Sequence, residues 1–210
     1  MAVEINSEKM VRDVIVVGAS AGGFHAVIDL LARLPAELPA FIGIVIHRGA
    51  ASTSNWSTSL GRKTKLTVVE PANGDRLKRG VVYIAPGDRH LLVVQRGASI
   101  VTKLNDAPPE NSCRPAVDVL FRSVARVYGR SALAVVLTGM GQDGRRGGME
   151  LSATGAEIVA QDEQSSVVWG MPGAIVNNGL ANAVLPLDDV AAYLISRAAP
   201  ARTARARVVA

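Results

Sequence analysis

The stretch Val14-Ile15-Val16-Val17-Gly18-Ala19-Ser20-Ala21-Gly22-Gly23 restricts this chain more than any other: an apolar run stops at a serine set among glycines. A helical pattern follows at once, which puts the serine on a strand-to-helix turn. Gly18 is expected to let the backbone bend sharply beneath the serine. Gly22 and Gly23 carry no Cβ to collide with the strand as the helix folds back. The hydroxyl is then expected to stand exposed at the carboxyl edge of a sheet.

Two other uses of such a turn fail on their residues. A dinucleotide site needs G-x-G-x-x-G after the strand, and Ser20 occupies the place of the second glycine. A Walker phosphate loop needs a lysine after its last glycine, and Phe24 follows Gly23. What does match is G-x-S-x-G, Gly18 to Gly22. An ordinary tight β-α turn satisfies the same five residues, so partners elsewhere in the chain must decide.

Composition narrows the setting. A chain of 210 residues with 49% hydrophobic content can bury a substantial core and is expected to form one domain. The apolar runs Phe41 to Ile46 and Ala132 to Leu137 are strand-sized, far short of the roughly 20 residues that cross a bilayer, so no membrane insertion is expected. Residues 1–12 read as a polar N-terminal tail without the apolar core of a signal peptide, which makes a cytoplasmic location the expectation. The lone Cys113 cannot form an internal disulfide and reads as a bystander thiol in a loop. The net charge of +5 does not point to nucleic acid, because Arg197, Arg202, Arg205 and Arg207 lie in a stretch without acids and aromatics make up only 4% of the chain. Residues 197–210 read as a solvated Arg-rich tail beyond the last helix.

Between the tails, strand and helix patterns alternate. Helical spacing of Ala26, Leu30, Leu31 and Leu34 ends at Pro35, and the fully apolar Phe41 to Ile46 then reads as a strand buried on both faces. A short helix over Asn55 to Leu60 and a strand over Leu66 to Val69 follow. In the middle, Val81 to Ala85, Leu91 to Gln95 and Ser99 to Lys103 have hairpin spacing and predict a short antiparallel meander. Helices are predicted from Pro115 to near Gly129, through Met149 and Leu151, from Ala174 and from Asp188. Strands are predicted at Ala132 to Leu137, Glu157 to Ala160 and Ala183 to Leu185, with Gly170-Met171-Pro172 as a loop. The expected fold is α/β: a three-layer, doubly wound, mostly parallel sheet carrying that meander, over residues 13–196.

Ligands of open parallel sheets bind beyond the carboxyl ends of the strands, and Ser20, His47 and Asp143 all fall at such ends. Hydrolytic chemistry wants this trio. A serine hydroxyl is a poor nucleophile until an imidazole accepts its proton, and a carboxylate fixes the imidazole tautomer and stabilises the imidazolium. The order Ser, His, Asp is not that of the α/β-hydrolases. Each residue also has an ordinary use: Ser20 and Asp143 can cap helices, and His47 can end a strand bonded to backbone. His25, His47, His90 and the single cysteine show no metal-ligand spacing, so no metal is expected.

The motifs resemble a known family, the protein-glutamate methylesterases of bacterial chemotaxis. The likeness is carried by Gly18-Ala19-Ser20-Ala21-Gly22-Gly23, His47, the run Tyr83 to His90, the run Arg114 to Phe121, Thr138-Gly139-Met140-Gly141-Gln142-Asp143-Gly144, and Gly170-Met171-Pro172, across about residues 12 to 195. It implies a serine hydrolase that removes γ-methyl esters from glutamates on the cytoplasmic helices of chemoreceptors, with deamidation of receptor glutamine as a related activity. By that likeness Ser20 attacks, His47 moves the proton and Asp143 orients His47. Met140, Ala21 and Gly22 would line the oxyanion site, and Pro86, His90 and Arg114 the substrate groove. No cofactor is implied. Methylated receptors are the implied partners, with a separate response regulator or methyltransferase as further ones.

Three departures stand out. The family commonly carries an N-terminal phosphoacceptor domain, whereas the first strand here begins near residue 13, so the expectation is a stand-alone catalytic domain without phosphorylation control in cis. Arg48-Gly49-Ala50-Ala51-Ser52 follows the histidine where relatives often have apolar or proline-containing sequence, which bears on the shape and charge of the groove. Ala21 stands where threonine is frequent. A hydrolase acting on another ester or amide, and a catalytically silent binding module of a sensory pathway, remain as alternatives.

Overall fold

The computed structural model describes residues 12–48 and 55–198. Six buried residues make the first strand, β1 (Val14–Ala19), and period-2 alternation divides them between two cores. Ile15, Val17 and Ala19 face one layer of helices, and Val14 and Val16 face the other. The chain continues as α1 (Gly23–Ala32), β2 (Phe41–Ile46), α2 (Trp56–Gly61), β3 (Thr67–Val69) and β4 (Val81–Ile84). Then come β5 (His90–Arg96), β6 (Ser99–Asn105), α3 (Val117–Tyr128), β7 (Ala132–Val136) and α4 (Arg145–Ala153). The last elements are β8 (Glu157–Gln161), α5 (Gly170–Asn177), β9 (Ala183–Leu185) and α6 (Leu187–Ala198).

Seven strands form one sheet in the order β3-β4-β2-β1-β7-β8-β9, and every pairing in it is parallel. Helices α1 and α6 pack together over one face, while α3, α4 and α5 cover the other, which is the doubly wound arrangement. Such a sheet needs apolar strands because both faces are dry. Each fully buried Val, Leu or Ile contributes about 1.5–3 kcal/mol relative to leaving it exposed. Strand order reverses between β1 and β7, and the crevice beyond their carboxyl ends is where ligands of this architecture sit.

The predicted meander is corrected in part. Of its three segments, β5 and β6 alone pair antiparallel with each other, with His90 opposite Asn105 and Arg96 opposite Ser99. The segment read as its first strand is β4, parallel between β2 and β3. Val82, Tyr83 and Ile84 are buried, and the sheet gave them apolar surface that a solvated hairpin could not. Gly170-Met171-Pro172 is the first turn of α5 rather than a loop. A proline is tolerated there because a first-turn N–H has no intrahelical partner to lose. Arg197, assigned above to a solvated tail, lies in α6, 2.8 Å from the buried carboxylate of Glu157, which also binds Arg12 at 3.1 Å. Arg202, Arg205 and Arg207 lie outside the described residues.

Candidate active site

The serine turn is held from the neighbouring strand end. Ser20 N–H donates to the Thr138 carbonyl at 3.0 Å, and the Thr138 hydroxyl donates to the Ala21 carbonyl at 2.9 Å. The left-handed residue that starts α1 is Gly22, at φ 76°. A Cβ there would lie 2.7 Å from the Val167 side chain, so glycine is required twice over. Gly18 has a different task from the sharp bend expected of it. It is an ordinary strand residue, and a Cβ on it would sit 2.4 Å from Val117 Cγ1, so its bareness lets α3 approach the sheet.

His47 follows β2, and its N–H donates to the Ala19 carbonyl at 3.0 Å, one residue before Ser20. Asp143 arrives on the loop after β7. Its Oδ2 lies 2.7 Å from His47 Nε2, so the structure joins two residues 96 positions apart. The carboxylate is also the cap of α3: Oδ2 accepts from Val117 N–H at 2.6 Å, and Oδ1 accepts from Asp118 N–H at 2.9 Å and Gly144 N–H at 2.9 Å. Burial alone would push this carboxyl up, but the His47 bond, the two α3 amides and the His47 charge outweigh it and hold the group below the usual carboxylate range. A firmly ionised acceptor keeps the proton on Nε2 and leaves Nδ1 as the basic nitrogen.

Sequence reasoning missed what surrounds this pair. Asp118, almost fully buried on α3, accepts from Gly144 N–H at 3.0 Å and Gly147 N–H at 2.7 Å. Burial pushes its carboxyl up, against the Gly147 bond, and the nearby Asp143 charge adds to the rise. An acid three residues before Phe121 on the buried stripe of α3 was the available signal. Cys113 is not a bystander: its Sγ lies 3.3 Å from His47 Nδ1. Burial pushes this thiol up, and the Asp143 charge adds to it, so it is protonated.

His47 and Cys113 share a cleft of about 410 Å³ with Arg48, Asp88, Arg114 and Pro115. Arg114 is tied to Asp88 Oδ1 by Nε at 2.9 Å and Nη2 at 2.7 Å. Arg48 turns inward, binding Glu70 at 3.0 Å and lying over the Trp56 ring at 5.1 Å, so its charge is compensated. Residues 49–52 of the segment that departs from the family lie outside the described residues. Pro86 is half-buried just after β4, between Ala85, whose carbonyl accepts from Arg48, and Gly87. His90, expected in the groove, is fully buried: Nδ1 accepts from Ala116 N–H at 3.2 Å and Nε2 donates to the Pro108 carbonyl at 3.2 Å. Both ring nitrogens clip a loop to the start of α3, which leaves none for a ligand.

Met140 projects into solvent, 74% exposed, beyond Gly139, where a Cβ would lie 2.9 Å from Ser20 Cβ. The backbone N–H groups of Ala21, Gly22 and Met140 have no acceptor among the described residues. Among those residues the Ser20 hydroxyl likewise makes no hydrogen bond, to His47 or to any other group.

A serine turn beside a histidine–aspartate pair, at the switch point of a parallel sheet, defines the class: an α/β domain with the residue set of serine hydrolases. Residues 15–194 match the family model described as CheB methylesterase. The chain belongs to that family. It is 45% identical over 191 residues to the protein-glutamate methylesterase/protein-glutamine glutaminase 1 of Rhodospirillum rubrum, covering 89% of this chain and 49% of the relative. It is 43% identical over 185 residues to the protein-glutamate methylesterase/protein-glutamine glutaminase of Trichodesmium erythraeum, covering 88% and 53%. The crystal structure of the Thermotoga maritima CheB methylesterase catalytic domain superposes with a TM-score of 0.85 at 34% identity, covering 88% of this chain and 98% of that one. The chain thus spans about half the length of the curated relatives it matches.

Proposed function

We propose that this protein is a serine esterase that removes γ-methyl groups from glutamates of methylated chemoreceptors in the cytoplasm, and that it also deamidates receptor glutamine. The observation that carries this reading is the 2.7 Å contact of His47 Nε2 with Asp143, one strand away from the Ser20 turn. The names of the relatives supply the substrate class, and their likeness over this domain supports the transfer.

Ser20 Oγ attacks the ester carbonyl while Nδ1 of His47 takes its proton. The imidazolium is stabilised by Asp143, which stays ionised because five donors surround it. Charge developing on the carbonyl oxygen is met by the unpaired N–H groups of Met140 and of the turn after Ser20. Each such donor contributes about 3 kcal/mol of transition-state stabilisation. His47 then protonates the methoxide, methanol leaves, and water attacks the acyl-serine by the same route to release glutamate. Glutamine would lose ammonia instead. The Ser20–His47 bond has to close during this cycle, and such bonds commonly tighten only in the complex with substrate.

The test is methanol release from a methylated receptor fragment by the wild-type and Ser20→Ala proteins. Release is expected to vanish in the variant, and undiminished release would remove the reading.

A further inference from the structure

The loop before α3 carries two successive non-glycine residues in the left-handed region, Asn111 at φ 50° and Ser112 at φ 61°. Such pairs are uncommon and persist where their surroundings over-determine them. The turn is closed by reciprocal backbone bonds, Glu110 N–H to the Cys113 carbonyl at 3.1 Å and Cys113 N–H to the Glu110 carbonyl at 2.8 Å. The Glu110 carboxylate is anchored to Arg122 of α3. What the closed turn presents is specific: the Asn111 amide donates to Asp118 Oδ2 at 2.9 Å and to Asp143 Oδ1 at 2.9 Å, and Cys113 Sγ meets His47 Nδ1 at 3.3 Å.

We propose that the Glu110–Cys113 turn is a positioning element for the His47–Asp143 pair, in which Asn111 clamps the carboxylate and Cys113 holds the free side of the imidazole. The proposal rests on the reading of Ser20, His47 and Asp143 given above. Asn111 has the two N–H groups needed to bridge two buried carboxylates, and it is the donor on Asp118 Oδ2, whose other bonds all fall on Oδ1. Cys113 carries a proton to offer Nδ1, the nitrogen that must take the proton of Ser20. A thiol is a weak donor, so it can hold the ring at rest and yield when Ser20 engages. A hydroxyl in its place would compete harder.

Among the described residues, the charged and titratable groups around His47 are Asp143 on Nε2, Asp118 behind it, Cys113 on Nδ1, and Arg48, Asp88 and Arg114 across the cleft. Of these, the turn controls the first three. Cys113 can donate to Nδ1 only while that nitrogen is unprotonated, and Asn111 shares with His47 the carboxylate of Asp143.

Asn111→Gly is compatible with the left-handed turn and removes the amide with its Cβ. We expect kcat for methanol release to fall about tenfold to a hundredfold, the range for losing a bond to a charged group. KM should stay within about twofold, and the acid limb of the kcat/KM profile should move to higher pH. Cys113→Ala is expected to move that limb to higher pH as well, and Cys113→Ser to lower pH with a reduced kcat. Opposite shifts from two near-isosteric changes are not what a packing role produces. Unchanged kcat and an unmoved acid limb in Asn111→Gly and both Cys113 variants, beside an inactive Ser20→Ala protein, would overturn the positioning role alone. A fully active Ser20→Ala protein would overturn both readings. Should Asn111→Gly fail to fold, the Cys113 pair decides.

Discussion

Asp143→Asn is the sharpest perturbation available, because all five groups around the carboxylate are donors. Oδ1 accepts from Asp118 N–H, Gly144 N–H and Asn111 Nδ2, each at 2.9 Å, and Oδ2 accepts from Val117 N–H at 2.6 Å and His47 Nε2 at 2.7 Å. An asparagine offers one accepting oxygen. Its best placement puts that oxygen at the Oδ1 position and sets an NH2 group against the Val117 N–H and His47. A buried N–H left without an acceptor costs about 1–3 kcal/mol, partly offset because a neutral amide is cheaper to bury than a carboxylate. The net loss is about 1–2 kcal/mol, or roughly 2–8 °C in Tm for a domain of this size. The effect on catalysis is larger. His47 must now accept at Nε2, so its proton moves to Nδ1, where it can no longer receive the proton of Ser20. The same tautomer error in a serine protease lowers kcat about 10⁴-fold, and a comparable loss is expected here. Methanol release at saturating substrate, with calorimetry on the same samples, measures both. A kcat within about tenfold of wild type would refute the assigned role of Asp143, and an unchanged Tm would refute the donor count.

Gly18→Ala should destabilise the fold by about 1–3 kcal/mol despite the usual entropy gain from losing a glycine. The new Cβ would lie 2.4 Å from Val117 Cγ1, and both backbones are pinned in the core. Because Val117 N–H holds Asp143, kcat should fall with stability; an unchanged urea midpoint would show that α3 can give way. A carboxyl held low in the folded state contributes stability that is present above its unfolded value, near pH 4, and is lost as pH falls through the folded value. The part of the stability gap between wild type and Asp143→Asn that comes from this carboxyl should therefore be lost as the pH falls below about 4. The burial that pushes Asp118 the other way acts in both proteins and cancels in the difference, whereas the smaller push from the Asp143 charge is present in wild type alone. Urea melts at several pH values check this, and a gap that does not shrink below about pH 4 would contradict it.

The parallel sheet and the strand-end residues could be read without coordinates because both depend on local pattern. Continuous apolar runs such as Val14–Ala19 and Phe41–Ile46 tell of strands dry on two faces, and a chain alternating such runs with helical spacing has few ways to bury them. The glycine-flanked serine, and the histidine and aspartate at other strand ends, follow from the same reading. The sequence likewise sufficed for the family, since the family's motifs are contiguous.

What periodicity does not carry is the identity of the surface on the other side. Val81–Ile84 reads equally well as a hairpin arm or a buried parallel strand, and only the vacancy between β2 and β3 chose. His90, a groove residue by motif, is spent on the Pro108 carbonyl and the Ala116 amide. Arg197 belongs to Glu157 rather than to the tail. At the site itself, Asp143 was recognisable as an acid after a strand, but its five donors come from α3 and from three loops, one of them after β2, the most distant 96 residues away. Asn111, Cys113 and Asp118 acquire their meaning only there. Chemical type and local spacing are written in the chain, whereas which donor meets which acceptor is settled by packing, because a hydrogen bond needs its partners about 3 Å apart and sequence separation says nothing of that.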